Sequence, residues 1–577
     1  MDNHYKNEAA STGGDIHSAQ QGHLHAYPHS YGAAYSGYTA YPAYYPPYPT
    51  WPPANVRQNK VKREKAENAF KPDVADFIFA LAAFALGYLF SRWVFFSWQG
   101  WGISVFTTAY LLIVTAYLIK KGAFVKGLDT YFWMACTMVI GVSYAIWENA
   151  GFSGERALFL FFSAVYYALV ASGRRLLGKT GNFLISDGFN MILIIPLRNI
   201  FNQYVSFSAL GKGKQRGKIL PVTLGVILAF VLLLILIPML EQADSGGFGK
   251  ILEFFRDFIT FDFGEFIWYA AFAIPIAAYL YGLISGVAHK KGTDIIKLES
   301  AQKNVSKMRI IHPVTLYISL GAICVLYLVF ILSQAPYFFS AFNGRRPEGW
   351  LIYSEYARRG FFELCGIAAI NLVILIIGNV TCKKHRMELR ILRILNIAIA
   401  VITLVLIATA YSKMALYIGA YGLTMRRLMP CVFMVFMAMV FVALIVLQRR
   451  SFSIVRFSLV TGAVMLCALC LSNPDAMVVR YNTDRYLSGS LPDYDTDVLY
   501  RAGSAGVLPA LEVYRTTEDT GLRSQLTIYL NYHNGFPEAH TLSYEGWRAR
   551  EAIISESVPY VTTKSNSSPE QNFTPER

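Results

Sequence analysis

The chain has 577 residues, 54% of them hydrophobic and only 15% charged, with a mean hydropathy of +0.37. This composition excludes a string of soluble domains, because a water-soluble fold of such make-up would leave too much apolar surface exposed. The net charge of +15 is no nucleic-acid signal: most Lys and Arg stand in short clusters between long apolar runs, where they orient a membrane protein.

Residues 1–71 are low in complexity and rich in Tyr, Pro and His, with few aliphatic residues to build a core. They read as a disordered tail, partly polyproline II. His23, His25 and His29 lie in this tract, which has no fixed geometry for a metal, so no metal site is expected. No short apolar segment follows the start, so no signal peptide is expected. A basic collar from Arg57 to Lys71 precedes the first apolar run, 74–96, which Asp73 and Asp76 open. Further runs follow at 101–119, 130–147 and 157–171. The segment 183–204 is mixed in polarity, carries Asp187 and Arg198 and is broken by Pro196, so it reads as interfacial or re-entrant rather than as a span. Spans resume at 219–238, 266–286, 313–333, 353–380, 394–411, 428–447 and 455–471.

The fold class is therefore all-α: a polytopic membrane helix bundle of about eleven transmembrane helices over 72–472. Residues 473–556 read as a small helical extramembrane region, with Asn473 as cap and Pro474 at the first helical position, and 557–577 as a loose tail. The basic connections at Lys120/Lys121, Arg174/Arg175, 212–218, 290–309, 383–393 and 449–456 all fall on one side, and the acidic 241–265 connection on the other. By the positive-inside rule the basic side is cytoplasmic. The N-terminus is then cytoplasmic and the C-terminal region extracytoplasmic, in the cell membrane. All seven cysteines lie in or beside apolar runs and form no disulfide framework; Cys467 and Cys470 have redox spacing, but inside an apolar helix they read as packing.

In EYARRGFFELCGIAAINLVIL, LYIGAYGLTMRRL and NPDAMVVRYNTDRYL the chain resembles a bacterial family of multi-pass membrane proteins catalogued only as a domain of unknown function. The resemblance covers the span region and the start of the C-terminal part. It implies a membrane location and carries no activity, so no residue role transfers from it.

The candidate site rests on the residues alone. Two cationic places on the outer side are not required by the topology rule: Arg345, Arg346, Arg358 and Arg359, and Lys413, Arg426 and Arg427. Glu355, Arg359 and Glu363 share one helix stripe, as do Lys413, Tyr417 and Tyr421. The spans that carry them are joined by a short inner loop, which makes them antiparallel neighbours. Arg358, Arg359, Glu363, Lys413, Tyr417, Tyr421, Arg426 and Arg427 are thus a candidate site for a phosphate or carboxylate, or for a lipid headgroup. The alternative is snorkelling arginines and internal Arg–Glu pairs, above all Arg359 with Glu363. Asn371, in the same span, reads as an interhelical hydrogen bond. No phosphate-cradling Gly motif, HExxH or metal-spaced Cys/His set is present, and no catalytic residue, metal or cofactor is expected. The expected function is that of a non-enzymatic sensor, scaffold or assembly factor. A transporter, or a transferase acting on an anionic lipid-linked substrate, is the alternative. Expected partners are the lipid bilayer, an anionic lipid or another membrane protein, and no nucleic acid.

Overall fold

Inside a bilayer every backbone polar group must be satisfied by the protein itself, and an α-helix does so within one segment. The computed structural model describes residues 70–98, 100–209, 261–291, 298–333, 353–383, 388–535, 543–556 and 558, and among them every regular element is helical. Residues 1–69 of the tail expected over 1–71, the span expected at 219–238, residues 241–260 of the acidic connection and the C-terminal tail beyond 558 lie outside the described residues.

The membrane part comprises α1 (Val74–Phe96), α2 (Gly100–Lys120), α3 (Leu128–Ile146), α4 (Ser153–Ala171), α5 (Leu184–Ser208) and α6 (Phe261–Ala288). After the short amphipathic α7 (Leu298–Lys307) come α8 (Pro313–Ser333), α9 (Tyr353–Thr381), α10 (Arg390–Tyr421), α11 (Met425–Leu447) and α12 (Ile454–Ser472). Ten of the described helices are long and apolar enough to cross a membrane, α5 included and α3 not. Their contacts revise that pair. The helix α3 runs the full depth: Asp129 at its start joins Arg456 at the end rich in Lys and Arg, here called the basic end, and Tyr144 near its finish packs against Trp98 at the other.

In contrast, α5 is held at the basic end throughout. Leu176 N–H donates to Asp187 at 3.0 Å, Asn199 Nδ2 donates to the Lys291 carbonyl at 3.0 Å, and Phe207 packs edge-on against Phe77. In its middle, the Ile192 carbonyl accepts from Tyr279 of α6 at 3.0 Å. It enters and leaves at one end, as its mixed polarity implied. Ten crossing helices therefore remain among the described residues, α3 replacing α5.

The capping box at the start of α1 ties three helices at the basic end. Asp73 and Asp76 cap each other's backbone N–H groups. The fully buried Asp76 also accepts from Tyr117 Oη at 2.6 Å, pairs with Lys121 at 2.8 Å and meets His289 Nε2 at 2.8 Å. This draws together the starts and ends of α1, α2 and α6. Antiparallel α1 and α6 then approach so closely that a Cβ on Gly87 would lie 2.6 Å from the Ala273 carbonyl oxygen.

A second apolar core joins α8 to α11. Asn371 and Asn379 stand eight residues apart on one stripe of α9 and face α10 in antiparallel register. Asn371 accepts from Tyr327 at 2.6 Å and donates to Thr403 at 2.9 Å, while Asn396 donates to Asn379 at 3.1 Å and to Gln448 at 3.3 Å. Small hydrogen-bonded polar groups of this kind hold membrane helices in register where apolar contact alone cannot distinguish helix from lipid.

Beyond α12 lies a third core, the cap, built from α13 (Pro474–Leu487), α14 (Asp497–Ala502), α15 (Val507–Thr516), α16 (Thr520–Gly535) and α17 (Tyr544–Ser555). Asn473 takes a left-handed φ of 51° and caps α13 by accepting from Ala476 N–H. On α13, Arg480 pairs with Asp484 and Glu512.

The close approach at Gly87 gives a direct test. Gly87→Val should lower stability in detergent by about 1–3 kcal/mol through overpacking, read as a fall in the unfolding temperature. Gly321→Val, where a Cβ meets nothing within 4 Å, should leave it near wild type.

Candidate functional site between cap and bundle

The site begins with a turn that α3 cannot continue. Trp147 leaves the helix in extended conformation and Asn149 adopts a left-handed φ of 47°, a region Asn tolerates better than most residues. One 3-10 turn, Ala150–Phe152, then leads into α4. From α4, Arg156 reaches back to this turn with only 1% of its surface exposed. Its Nη1 donates to the Trp147 carbonyl at 3.1 Å and its Nη2 to the Glu148 carbonyl at 2.6 Å, while the guanidinium sits 3.7 Å from the Tyr144 ring centroid. Two carbonyls and a ring face thus hold the buried cation, while its Nε has no partner among the described residues.

With its carbonyls engaged by Arg156, the turn offers its N–H groups to the cap. Glu148 N–H donates to Glu545 at 3.0 Å and Gly151 N–H to Asp475 at 2.9 Å. In the other direction, the Glu148 carboxylate accepts from Ser504 N–H at 2.8 Å and Asn473 donates to Glu545. These hydrogen bonds join two separate cores. Asn149 is fully buried at the same point, and neither polar atom of its side chain has a partner among the described residues.

Two carboxyls of the cap, Asp475 and Glu545, feel the charge of Arg156. Burial pushes the Asp475 carboxyl up to about 7, with the Glu545 and Glu148 charges adding to the rise, against the Gly151 N–H bond and Arg156. Burial also raises Glu545, against its bonds from Glu148 N–H and Asn473.

Asp475 faces two ways, because it also lines a cavity of about 660 Å³ between the cap and the ends of α10 and α11. Arg426 and Arg427 enter this cavity from α11, Tyr417 from α10, and Asp497 and Arg501 from α14. Arg427 is anchored: it donates to the Tyr421 carbonyl at 2.8 Å and to the Gly422 carbonyl, and lies 4.2 Å from the Tyr417 ring centroid. Arg426 and Arg501 make no ion pair among the described residues.

Of the residues singled out from sequence, Tyr417, Arg426 and Arg427 line this cavity, and so does Phe362, the neighbour of Glu363. Lys413 departs from expectation. Expected among the outward cations, it is 1% exposed and does not line the cavity; it lies near the Glu363 carboxylate across α9 and α10. Its position a turn deeper than Tyr417 puts it among the packed faces of the second core. Tyr421 stacks edge-on against Tyr417 and remains 47% exposed, outside the lining. The side chains of Arg358 and Arg359 lie outside those described, and with them the expected Arg359–Glu363 pair. Sequence reasoning missed Arg156, Glu148, Asp475, Glu545 and Arg501. The available signal was a Glu and an Arg eight residues apart bounding two spans, in WENAGFSGER.

The family model described as Domain of unknown function (DUF4153) matches residues 134–513. The chain belongs to that family. The protein is a multi-pass membrane protein, and the matched part holds the turn, Arg156 and every cavity residue, but ends before Glu545, so that partner comes from outside it. Comparison with curated proteins and with solved structures gives no match.

The raised Asp475 carboxyl sets a pH dependence. Between about 4 and about 7 the docked cap holds a proton on Asp475 that an undocked, hydrated carboxyl would release, so docking weakens as pH rises through this window and levels off above it. The cap unfolding temperature should be higher at pH 5 than at pH 8, and Asp475→Asn should flatten that difference. An unfolding temperature that rises from pH 5 to pH 8 would contradict the assignment.

Proposed function

We propose that the protein is a non-enzymatic membrane receptor or assembly factor that holds an anionic ligand, through a phosphate or carboxylate, in the cavity beneath its cap. The observation that carries this reading is the convergence of Arg426, Arg427 and Arg501 on one cavity of about 660 Å³, two of them with no ion pair among the described residues. The planar guanidinium matches carboxylate and phosphate geometry with paired donors. Asp475, Asp495 and Asp497 in the same lining favour a ligand with hydroxyl or amine groups beside its anionic group.

The excess of Lys and Arg at the opposite end supports a cytoplasmic basic end, a cap outside the cytoplasm and residence in the cell membrane. Anionic lipid and another membrane protein are the partners this placement suggests.

One observation favours a second reading, a transferase acting on an anionic lipid-linked substrate. A carboxyl that titrates near neutral pH, Asp475, lines the same cavity as the three arginines, which is the profile of a general base.

The test is mass spectrometry of small molecules released from protein purified in mild detergent. Wild type should retain an anionic compound, and Arg426→Gln/Arg501→Gln should lose it by about tenfold or more while melting near wild type, since each guanidinium contributes charge-assisted bonds to the ligand and none to the fold. Equal retention of the same compound by both proteins would defeat the reading.

A further inference from the structure

Two further cavities meet toward the opposite end of the bundle. One, of about 670 Å³, lies at the basic end between the starts of α3 and α12 and the loop after α4. Its polar rim is Arg456, Lys179, Ser453, Thr180 and Asp129. The other, of about 790 Å³, is almost wholly apolar and runs along α10 and α11 from Ser412 to Val446. The two share Phe452 and Phe457 as a common wall.

The charge on the rim is in excess. Asp129 is paired twice, with Arg175 at 2.7 Å and Arg456 at 2.8 Å, so one anion serves two cations. Lys179 is exposed and adds a third positive charge. Ser453 caps α12 by accepting from Arg456 N–H, so the positive end of a 19-residue helix dipole opens onto the same rim. Trp133 and Phe132 stand on the α3 side, at the level where aromatic side chains meet lipid headgroups. A cationic mouth backed by an apolar cavity the size of a ligand site matches a molecule that is charged at one end and hydrocarbon along its length.

We infer that this groove binds one anionic phospholipid, its phosphate at Arg456 and Lys179 and an acyl chain along α10 and α11 past Phe452 and Phe457. The site is independent of the cavity beneath the cap, which lies at the other end of the bundle. A free phosphate would leave the apolar cavity without an occupant, and a neutral lipid would leave the excess charge unmatched. A phospholipid meets both requirements.

The experiment measures phosphatidylglycerol, phosphatidylcholine and inorganic phosphate as stabilisers of the full chain in detergent, together with retention of each lipid by native mass spectrometry. Phosphatidylglycerol should raise the unfolding temperature and be retained, while phosphatidylcholine and inorganic phosphate should do neither. Lys179→Gln/Arg456→Gln should lower retention of phosphatidylglycerol by about fivefold or more, the weight of one or two cations near a lipid phosphate. Ala438→Trp, which fills the apolar cavity and leaves the Asp129 pairs intact, should lower it as well. Arg449→Gln/Arg450→Gln, at the same end but outside the lining, should leave retention unchanged. The inference is overturned if inorganic phosphate or phosphatidylcholine stabilises as well as phosphatidylglycerol. It is equally overturned if the Arg449/Arg450 variant loses as much lipid as the Lys179/Arg456 variant, or if Ala438→Trp has no effect.

Discussion

A single buried guanidinium governs how the cap sits on the helix bundle. Arg156 is out of water, and an unsatisfied buried charge would cost several kcal/mol. The carbonyls of Trp147 and Glu148 and the face of Tyr144 hold it through both terminal nitrogens and the guanidinium plane. That choice fixes the turn between α3 and α4, and the fixed turn presents two N–H groups to carboxylates of the cap. The cap then closes over the ends of α10 and α11, and the cavity exists because it does. Asp475 belongs to both structures, so ligand charge in the cavity and docking of the cap are not independent quantities.

Much of the fold was legible because the bilayer imposes a coarse and strict rule. Twenty apolar residues in succession leave a helix as the main option, and the basic clusters mark one end. By length and hydropathy alone α5 qualifies as a span, and it is its contacts with the basic end, at Leu176, Lys291 and Phe77, that set it apart. Conversely, α3 carries enough polar residues to fall short of the same measure and yet crosses. Its Thr137 and Ser143 hydroxyls donate to helix carbonyls, so they do not present polarity to lipid. Hydropathy sums over a window cannot see that satisfaction; only the contacts do.

The site was legible in half. The cations on α11 were visible because the topology rule does not call for positive charge at the cap end. Their partners were not, because Asp475 and Arg501 reach the cavity through the docking of a domain whose position no periodicity encodes. Lys413 shows the limit of spacing arguments: a stripe at i, i+4 and i+8 holds Lys413, Tyr417 and Tyr421 together along the helix, but depth decides that the first is packed, the second lines a cavity and the third is exposed. Asn371 was read correctly because an amide in a span has few options other than a partner on the next helix.

The central claim is that Arg156 holds the turn at 147–151 and that the turn holds the cap. Hydrogen exchange in detergent, followed by mass spectrometry on peptides covering 147–152 and 503–507, tests it most directly. The account predicts slow exchange of both peptides in wild type, and joint loss of protection in Arg156→Ala with peptides from α9 and α10 unchanged. Wild-type exchange at 147–152 as fast as in an exposed loop, or protection at 503–507 that survives Arg156→Ala, would contradict it.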